Sequence, residues 1–329
     1  MAAGSWPEGI SNESAAASEL GLEAEFQFSL FTVSYSIVFV LGLIENALAL
    51  HLLCSRAERP SHSYVYMVNL ALTDTLFVAV LPFKIHYHLN GNDWAFGDVA
   101  CRLTGSLYYI NIYLSIAFFT CICVDRYVAV LHPFTYIRIK LPHYVGVAAA
   151  LWAVALSITV PLVLGGPLHN RGPRNTTACF ENFSASSWAS RMAPYNVLAL
   201  VLGFVIPFCV ILISYPLIAR KISHSKRSVA RTKALRTVYV ILVICTLCFL
   251  PYHLTHLLHF LTRVQLIQNK AFSRFIYKMR RVTLALVSLN CCLNPLLYCF
   301  SSSCKHRLLN FRLRFRTQRV YTICNWEHG

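Results

Sequence analysis

The sequence predicts an all-α membrane protein: a seven-transmembrane helix bundle followed by a short amphipathic helix on the cytoplasmic side. Three observations carry this. Of 329 residues, 57% are hydrophobic and only 13% charged, too apolar for an ordinary soluble domain of that length. Seven mostly apolar stretches reach the roughly 20 residues a membrane span needs. Lys and Arg also gather beside alternate stretches, the asymmetry that orients spans in a bilayer.

The spans lie near 29–54, 63–89, 100–124, 145–166, 195–219, 236–262 and 282–300. They divide the chain into a polar tail (1–27), the bundle (28–300) and a carboxy-terminal region (301–329), with no room for a separate soluble enzyme. The first 25 residues carry Glu8, Glu13, Glu19, Glu23 and Glu25 and no basic start, so the first span is expected to serve as the insertion signal. Arg56, Arg59, Arg138, Lys140, Arg220, Lys221, Lys226, Arg227, Arg231, Lys233, Arg236 and a cluster over 305–319 flank the first, third, fifth and seventh spans. That side is expected to be cytoplasmic and the amino terminus extracellular. Glycosylation sequons at Asn12, Asn175 and Asn182 all fall on the predicted outer side. Beyond residue 303, Leu308, Leu309, Phe311, Leu313 and Phe315 alternate with Arg, a basic amphipathic helix suited to a membrane surface. Cys324 in that tail is the lipidation candidate, ahead of Cys304.

Net charge is +16, yet most basic residues sit on short loops beside lipid, where anionic headgroups are the natural counter-ions. Nucleic acid is not an expected partner. Of thirteen Cys, only Cys101 and Cys179 face an oxidising compartment in this topology, which predicts one disulfide between them.

Polar residues inside the spans mark the chemistry. Asp74 is one of very few carboxylates there, and a buried charge demands partners. Asp125-Arg126-Tyr127 ends the third span, and Asn294-Pro295-Leu296-Leu297-Tyr298 ends the seventh. Pro251 and Pro295 each remove a backbone hydrogen bond and are expected to kink their helices.

In order along the chain stand Asn46, Asn69-Leu70-Ala71-Leu72-Thr73-Asp74, Trp94-Ala95-Phe96-Gly97, Asp125-Arg126-Tyr127, Trp152, Pro207, Tyr215, Cys248-Phe249-Leu250-Pro251-Tyr252-His253 and the Asn-Pro-x-x-Tyr run. With this set, residues 28–316 resemble a class A, rhodopsin-like G-protein-coupled receptor. The resemblance implies signalling through heterotrimeric G proteins and no enzymatic activity. It implies a switch in which Arg126 rests on Asp125 and turns to Tyr215 and Tyr298 on activation, while the sixth helix swings at Pro251. It also implies that Asp74, Ser115, Asn290 and Asn294 form a pocket for an allosteric sodium ion, the one cofactor expected. Phe249 and Cys245 stand where many relatives carry Trp and Phe, and Glu45 stands where most carry Gly.

The ligand is narrowed by charge. Tyr108 occupies the third-helix position of the aminergic Asp, which argues against a monoamine, and the seventh span has no Lys for retinal. Lys84, Arg263, Arg280 and Arg281 instead place cations at helix mouths, beside Tyr108, Tyr109, Tyr113, Tyr252, His253 and His256. A cationic rim over an aromatic cavity suits an anionic amphiphile. Cys101-Arg102-Leu103-Thr104, Tyr108-Tyr109-Ile110-Asn111-Ile112-Tyr113, Pro251-Tyr252-His253 and the run Cys179-Phe180-Glu181-Asn182-Phe183-Ser184 resemble the purinergic and lipid-mediator branch, most of all the non-Edg lysophosphatidic acid receptors. A plasma-membrane receptor for a lysophospholipid is therefore expected. Nucleotides or cysteinyl leukotrienes are the alternative ligands, and proton sensing through His86, His88, His253, His256 and His259 is a third reading. No internal repeat suggests a transporter, and no nucleophile–base set suggests an enzyme.

Overall fold

The computed structural model describes residues 26–54, 62–164, 169–171, 177–179, 193–224, 229–264, 266–295 and 297. Each apolar stretch forms a helix, because inside lipid a helix satisfies its own backbone polar groups. The first four spans are Phe26–Cys54, Tyr64–Leu89, Gly97–Leu131 and Leu141–Leu164, with a short helix, Pro133–Arg138, between the third and fourth. The fifth runs through Ala193–Leu200, Val201–Val205 and Ile206–Ser223, and the sixth through Val229–Ile244, Cys245–Phe249 and Leu250–Arg263. The seventh comprises Lys270–Ser288, a turn at Leu289, and Asn290–Leu293. Among the described residues, six helices are long and apolar enough to cross a membrane by length and composition. The seventh misses that standard because Lys270, Arg274, Lys278, Arg280 and Arg281 crowd its first half. It starts at Lys270, well before the apolar window over 282–300.

The third helix is central, packing against the second, fourth, fifth and sixth, while the first packs on the second and seventh. Phe118, Phe119, Ile122 and Phe249 lie in the continuous core this creates. Lipid-facing flanks stay apolar without burial, as Val40, Ile44, Val154, Leu202 and Ile213 show. Side chains tie neighbouring helices across the core. Trp152 Nε1 donates to Asn69 Oδ1 at 2.9 Å, the Tyr108 hydroxyl to the Leu284 carbonyl at 2.9 Å, and Thr255 Oγ1 meets Thr283 Oγ1 at 2.8 Å. Such bonds contribute about 0.6 kcal/mol each in membrane proteins.

The prolines explain the irregular turns. Pro207 and Pro251 lack the N–H that would bond the carbonyl four residues back, and each is preceded by a π-helical turn, Val201–Val205 and Cys245–Phe249. Pro295 likewise frees the Cys291 carbonyl. Asn46 Nδ2 of the first helix donates to that carbonyl at 3.1 Å and to Gly42 O at 3.0 Å. One asparagine of the first helix thus repairs the break made by a proline of the seventh.

At one end of the bundle, Cys101 and Cys179 form a disulfide, as the topology predicts. Cys179 closes a two-stranded hairpin in which His169–Arg171 pairs antiparallel with Thr177–Cys179. Trp94 N donates to Thr177 O at 2.8 Å and Thr177 N to Asp93 Oδ1 at 2.8 Å, fastening the hairpin to the loop after the second helix. The opposite end carries Arg126.

Gly203 sits in the π turn of the fifth helix, and a Cβ there would lie 2.6 Å from Tyr113 Cδ1. The absent side chain is what lets the Tyr113 ring lie against the fifth helix. Gly203→Ala is expected to destabilise the protein by about 1–3 kcal/mol, read as earlier thermal unfolding of the detergent-solubilised chain. Gly146, which has nothing within 4 Å of its Cβ position, is the control. Gly146→Ala is expected to be neutral or mildly stabilising. Equal effects at both positions would remove the Tyr113 contact as the reason for glycine.

Candidate functional site

Among the described residues, three clusters of polar side chains lie within the bundle. Midway, Asp74 is fully buried. Asn111 Nδ2 of the third helix donates to its Oδ1 at 2.8 Å, and Asn294 Nδ2 of the seventh to its Oδ2 at 2.7 Å. Asn294 Nδ2 also approaches Asn290 Oδ1 at 3.3 Å. Ser115 Oγ and Asn294 Oδ1 are buried with no hydrogen-bond partner among the described residues. Of the four residues expected around a sodium ion, Asn294 bonds Asp74 directly, Asn290 bonds Asn294, and Ser115 Oγ has no partner among the described residues. Asn111 is an addition to that set. It lies one helical turn before Ser115, a spacing that puts both on one face.

At the Arg126 end, Asp125 Oδ2 lies 3.3 Å from Arg126 Nη2. The predicted resting pair is present, but it has company. The Tyr144 hydroxyl of the fourth helix donates to Asp125 Oδ1 at 2.6 Å, and Arg126 Nη2 also donates to Ser63 Oγ. Ser63 and Tyr144 have no motif to mark them. Tyr215 is half-buried with its ring 6.0 Å from that of Tyr239. Phe249 is fully buried with its ring edge-on to Phe119 at 6.1 Å, directly before the kink at Pro251.

Toward the disulfide end, the expected ligand residues divide. Lys84 is half-buried with its ammonium 5.5 Å from the Tyr87 ring centre. Tyr87 belongs to the cluster of Trp94, Cys101 and Cys179. Arg281 is only 8% exposed, donates from Nη2 to the Tyr277 hydroxyl at 2.8 Å, and lies 5.0 Å over that ring. Arg280, one residue earlier, is half-buried, and its Nε is buried with no hydrogen-bond partner among the described residues. Tyr108 packs edge-on to Phe77 at 5.3 Å, and Tyr109 packs edge-on to Tyr108 at 5.8 Å. His253 lies flat on Phe204 at 4.1 Å, and His256 stacks on Tyr252 at 5.7 Å. Phe204 is a wall residue the sequence did not single out.

The histidines are not gathered into one cluster. His88 stacks on Phe31 at 4.5 Å with Nδ1 2.7 Å from Asn92 Oδ1, and His86 is exposed beside Phe96, whereas His253 and His256 line the sixth helix. Arg263 ends that helix, but its side chain lies outside the described residues, as do Tyr298, the sequons at Asn12, Asn175 and Asn182, Cys324 and the amphipathic segment.

The Asp74 cluster should hold the bundle together. In Asp74→Asn an amide replaces one acceptor facing two amide donors, so one bond becomes a donor–donor clash. Stability is expected to fall by about 1–3 kcal/mol, measured by thermal unfolding in detergent. An unchanged midpoint would mean that the two asparagines find other acceptors at no cost.

Comparison with known proteins agrees with this architecture. Residues 45–298 match the family model of the seven-transmembrane receptors of the rhodopsin family. Lysophosphatidic acid receptor 6 of Mus musculus is 33% identical over 290 residues, 87% of this chain and 84% of the relative. Lysophosphatidic acid receptor 4 of the same species is 35% identical over 287 residues, 85% of this chain and 76% of the relative. A purinoceptor of Meleagris gallopavo is 32% identical over 324 residues, 97% of this chain and 88% of the relative. A multi-pass helical bundle, a family match spanning most of it and relatives at this identity leave one conclusion: the chain belongs to the rhodopsin family of seven-transmembrane, G-protein-coupled receptors, which are not enzymes.

Proposed function

We propose that this receptor resides in the plasma membrane with its amino terminus outside, binds a small anionic lysophospholipid at the disulfide end, and signals through a heterotrimeric G protein at the Arg126 end. The observation that carries the reading is the burial of cationic side chains on the seventh helix. Arg281 at 8% exposure and the half-buried Arg280 beside it set positive charge on the helix that packs against the stretch of the sixth helix carrying Tyr252. Cations at that end suit an anionic head-group, and the aromatic side chains of Tyr113 and Tyr252 offer apolar surface for an acyl chain. Relatives named as lysophosphatidic acid receptors support the same class of ligand.

Binding drives signalling only through different affinity for the two arrangements of the bundle. An anion drawn between Lys84 and the Arg280–Arg281 pair pulls the second and seventh helices together. The seventh helix carries Asn294, whose bond to Asp74 transmits the shift to the core. Release of Arg126 from Asp125 and Ser63 then opens the G-protein side. We further propose that the resting arrangement takes a sodium ion at Asp74, Ser115 Oγ and Asn294 Oδ1. One carboxylate beside Ser115 Oγ and Asn294 Oδ1, which have no partner among the described residues, fits a small hard cation, whose charge would neutralise the buried carboxylate.

A G-protein activation assay in cells tests the ligand class, using lysophosphatidate, nucleotides and leukotrienes at several external pH values. Lysophosphatidate is expected to activate. Arg281→Ala is expected to weaken its potency by the equivalent of about 2–5 kcal/mol, the usual effect of truncating a buried charged partner. Lys84→Ala, at a more exposed site, should cost less, with surface expression unchanged in both variants. Activation by acid alone, without any lipid response, would transfer the function to the histidines. A nucleotide response without a lipid one would place the chain functionally with the purinoceptors.

A further inference from the structure

Tyr252, His253 and His256 stand at successive places on one stretch of the sixth helix, one turn beyond Phe249. They are 0%, 1% and 7% exposed. Their rings are held by stacking, His253 on Phe204 at 4.1 Å and His256 on Tyr252 at 5.7 Å, with Tyr113 tilted against His253 at 5.8 Å. Their polar atoms are not held. Both ring nitrogens of each histidine, the Tyr252 hydroxyl and Arg280 Nε are buried and have no hydrogen-bond partner among the described residues. The Tyr252 ring adjoins both imidazoles, 5.0 Å from that of His253 and 5.7 Å from that of His256, and Arg280 stands on the seventh helix, which packs against this stretch. Buried polar atoms in native structures are paired as a rule, so such a concentration asks for a polar occupant.

The kind of atom decides what the occupant is. Arg280 and the Tyr252 hydroxyl donate, which suits phosphate oxygens. A neutral imidazole, however, has one N–H and one lone pair. A phosphate that satisfies the two N–H groups leaves two ring nitrogens still lacking a donor. A hydroxyl beside the phosphate supplies one.

We infer that this seat takes a head-group bearing both a phosphomonoester and an adjacent free hydroxyl, with Arg280 and Tyr252 facing the phosphate and an imidazole lone pair accepting from the hydroxyl. The inference rests on the lysophospholipid reading and sharpens it. Phosphate alone does not define the ligand; the free hydroxyl left on the glycerol does. The seat therefore discriminates against head-groups in which that hydroxyl is absent, esterified or cyclised onto the phosphate.

The test compares lysophosphatidate with its deoxy analogue, which has the same acyl chain and phosphate but lacks the hydroxyl, by concentration–response in cells expressing the full chain. On the order of tenfold lower potency is expected for the deoxy compound, the effect of one unmade buried hydrogen bond. In His253→Phe or His256→Phe, which keep the ring stacking, the two compounds are expected to converge in at least one variant. In Lys84→Ala both should weaken in parallel and keep their ratio. Equal potencies on the unaltered receptor would overturn the inference while leaving the lipid reading intact, and would mean that water completes the seat. A tenfold difference preserved in both histidine variants would overturn the assignment to the imidazoles. Failure of lysophosphatidate to act at all on surface-expressed receptor would overturn the parent reading instead.

Discussion

The carboxylate of Asp74, sealed in the middle of a helix bundle, is the constraint on which the rest of the structure depends. In lipid it has no water to lean on, so its partners must come from other helices. Asn111 supplies one hydrogen bond from the third helix and Asn294 the other from the seventh. Those two bonds set how the second, third and seventh helices meet. Asn46 adds the first helix by bonding the carbonyl that Pro295 leaves free. The same asparagine-rich joint is polar, adjustable and incompletely satisfied, since Ser115 Oγ and Asn294 Oδ1 have no partner among the described residues. A joint of that kind can hold two arrangements of similar energy, which a signalling bundle needs and a purely apolar core resists.

Either side of this joint the bundle is specialised. Toward the disulfide end, rigid features frame a polar seat: the hairpin fastened to Trp94, the Tyr108–Leu284 bond and the close fit of Tyr113 on Gly203. Toward the other end, Arg126 is held by Asp125 and Ser63, and Asp125 in turn by Tyr144. The sixth helix connects the two, because His253, His256 and Phe249 lie on the same helix with the π turn at Cys245–Phe249 before Pro251. A widened turn next to a proline is a soft point, at which the two halves of the helix can turn relative to each other.

Much of this was legible in the residues and some was not, for physical reasons. Helix positions followed from apolar length, because in a membrane length and composition nearly determine structure. The exception is instructive: the seventh helix begins at Lys270, because its first half carries basic residues, Lys270 and Arg274 exposed and Arg281 buried, that lower hydropathy without interrupting the helix. The disulfide followed from compartment logic, and the Asp125–Arg126 pair from the motif. Partners that are single polar residues on other helices could not be read, and Asn111, Ser63 and Tyr144 are of that kind. The cations at the helix mouths looked alike as a group. Helical phase separates them, placing Arg281 on Tyr277 and Lys84 over Tyr87.

The central claim is that ligand at the disulfide end moves the sixth helix at the Arg126 end. The most direct measurement is a distance distribution between spin labels at Ile137, on the short helix Pro133–Arg138, and Val229, at the start of the sixth, both highly exposed. It would be recorded with and without saturating lysophosphatidate. Lengthening on addition of the lipid is the expected result. An unchanged distance, in a preparation that nevertheless activates G protein in response to the lipid, would contradict the claim.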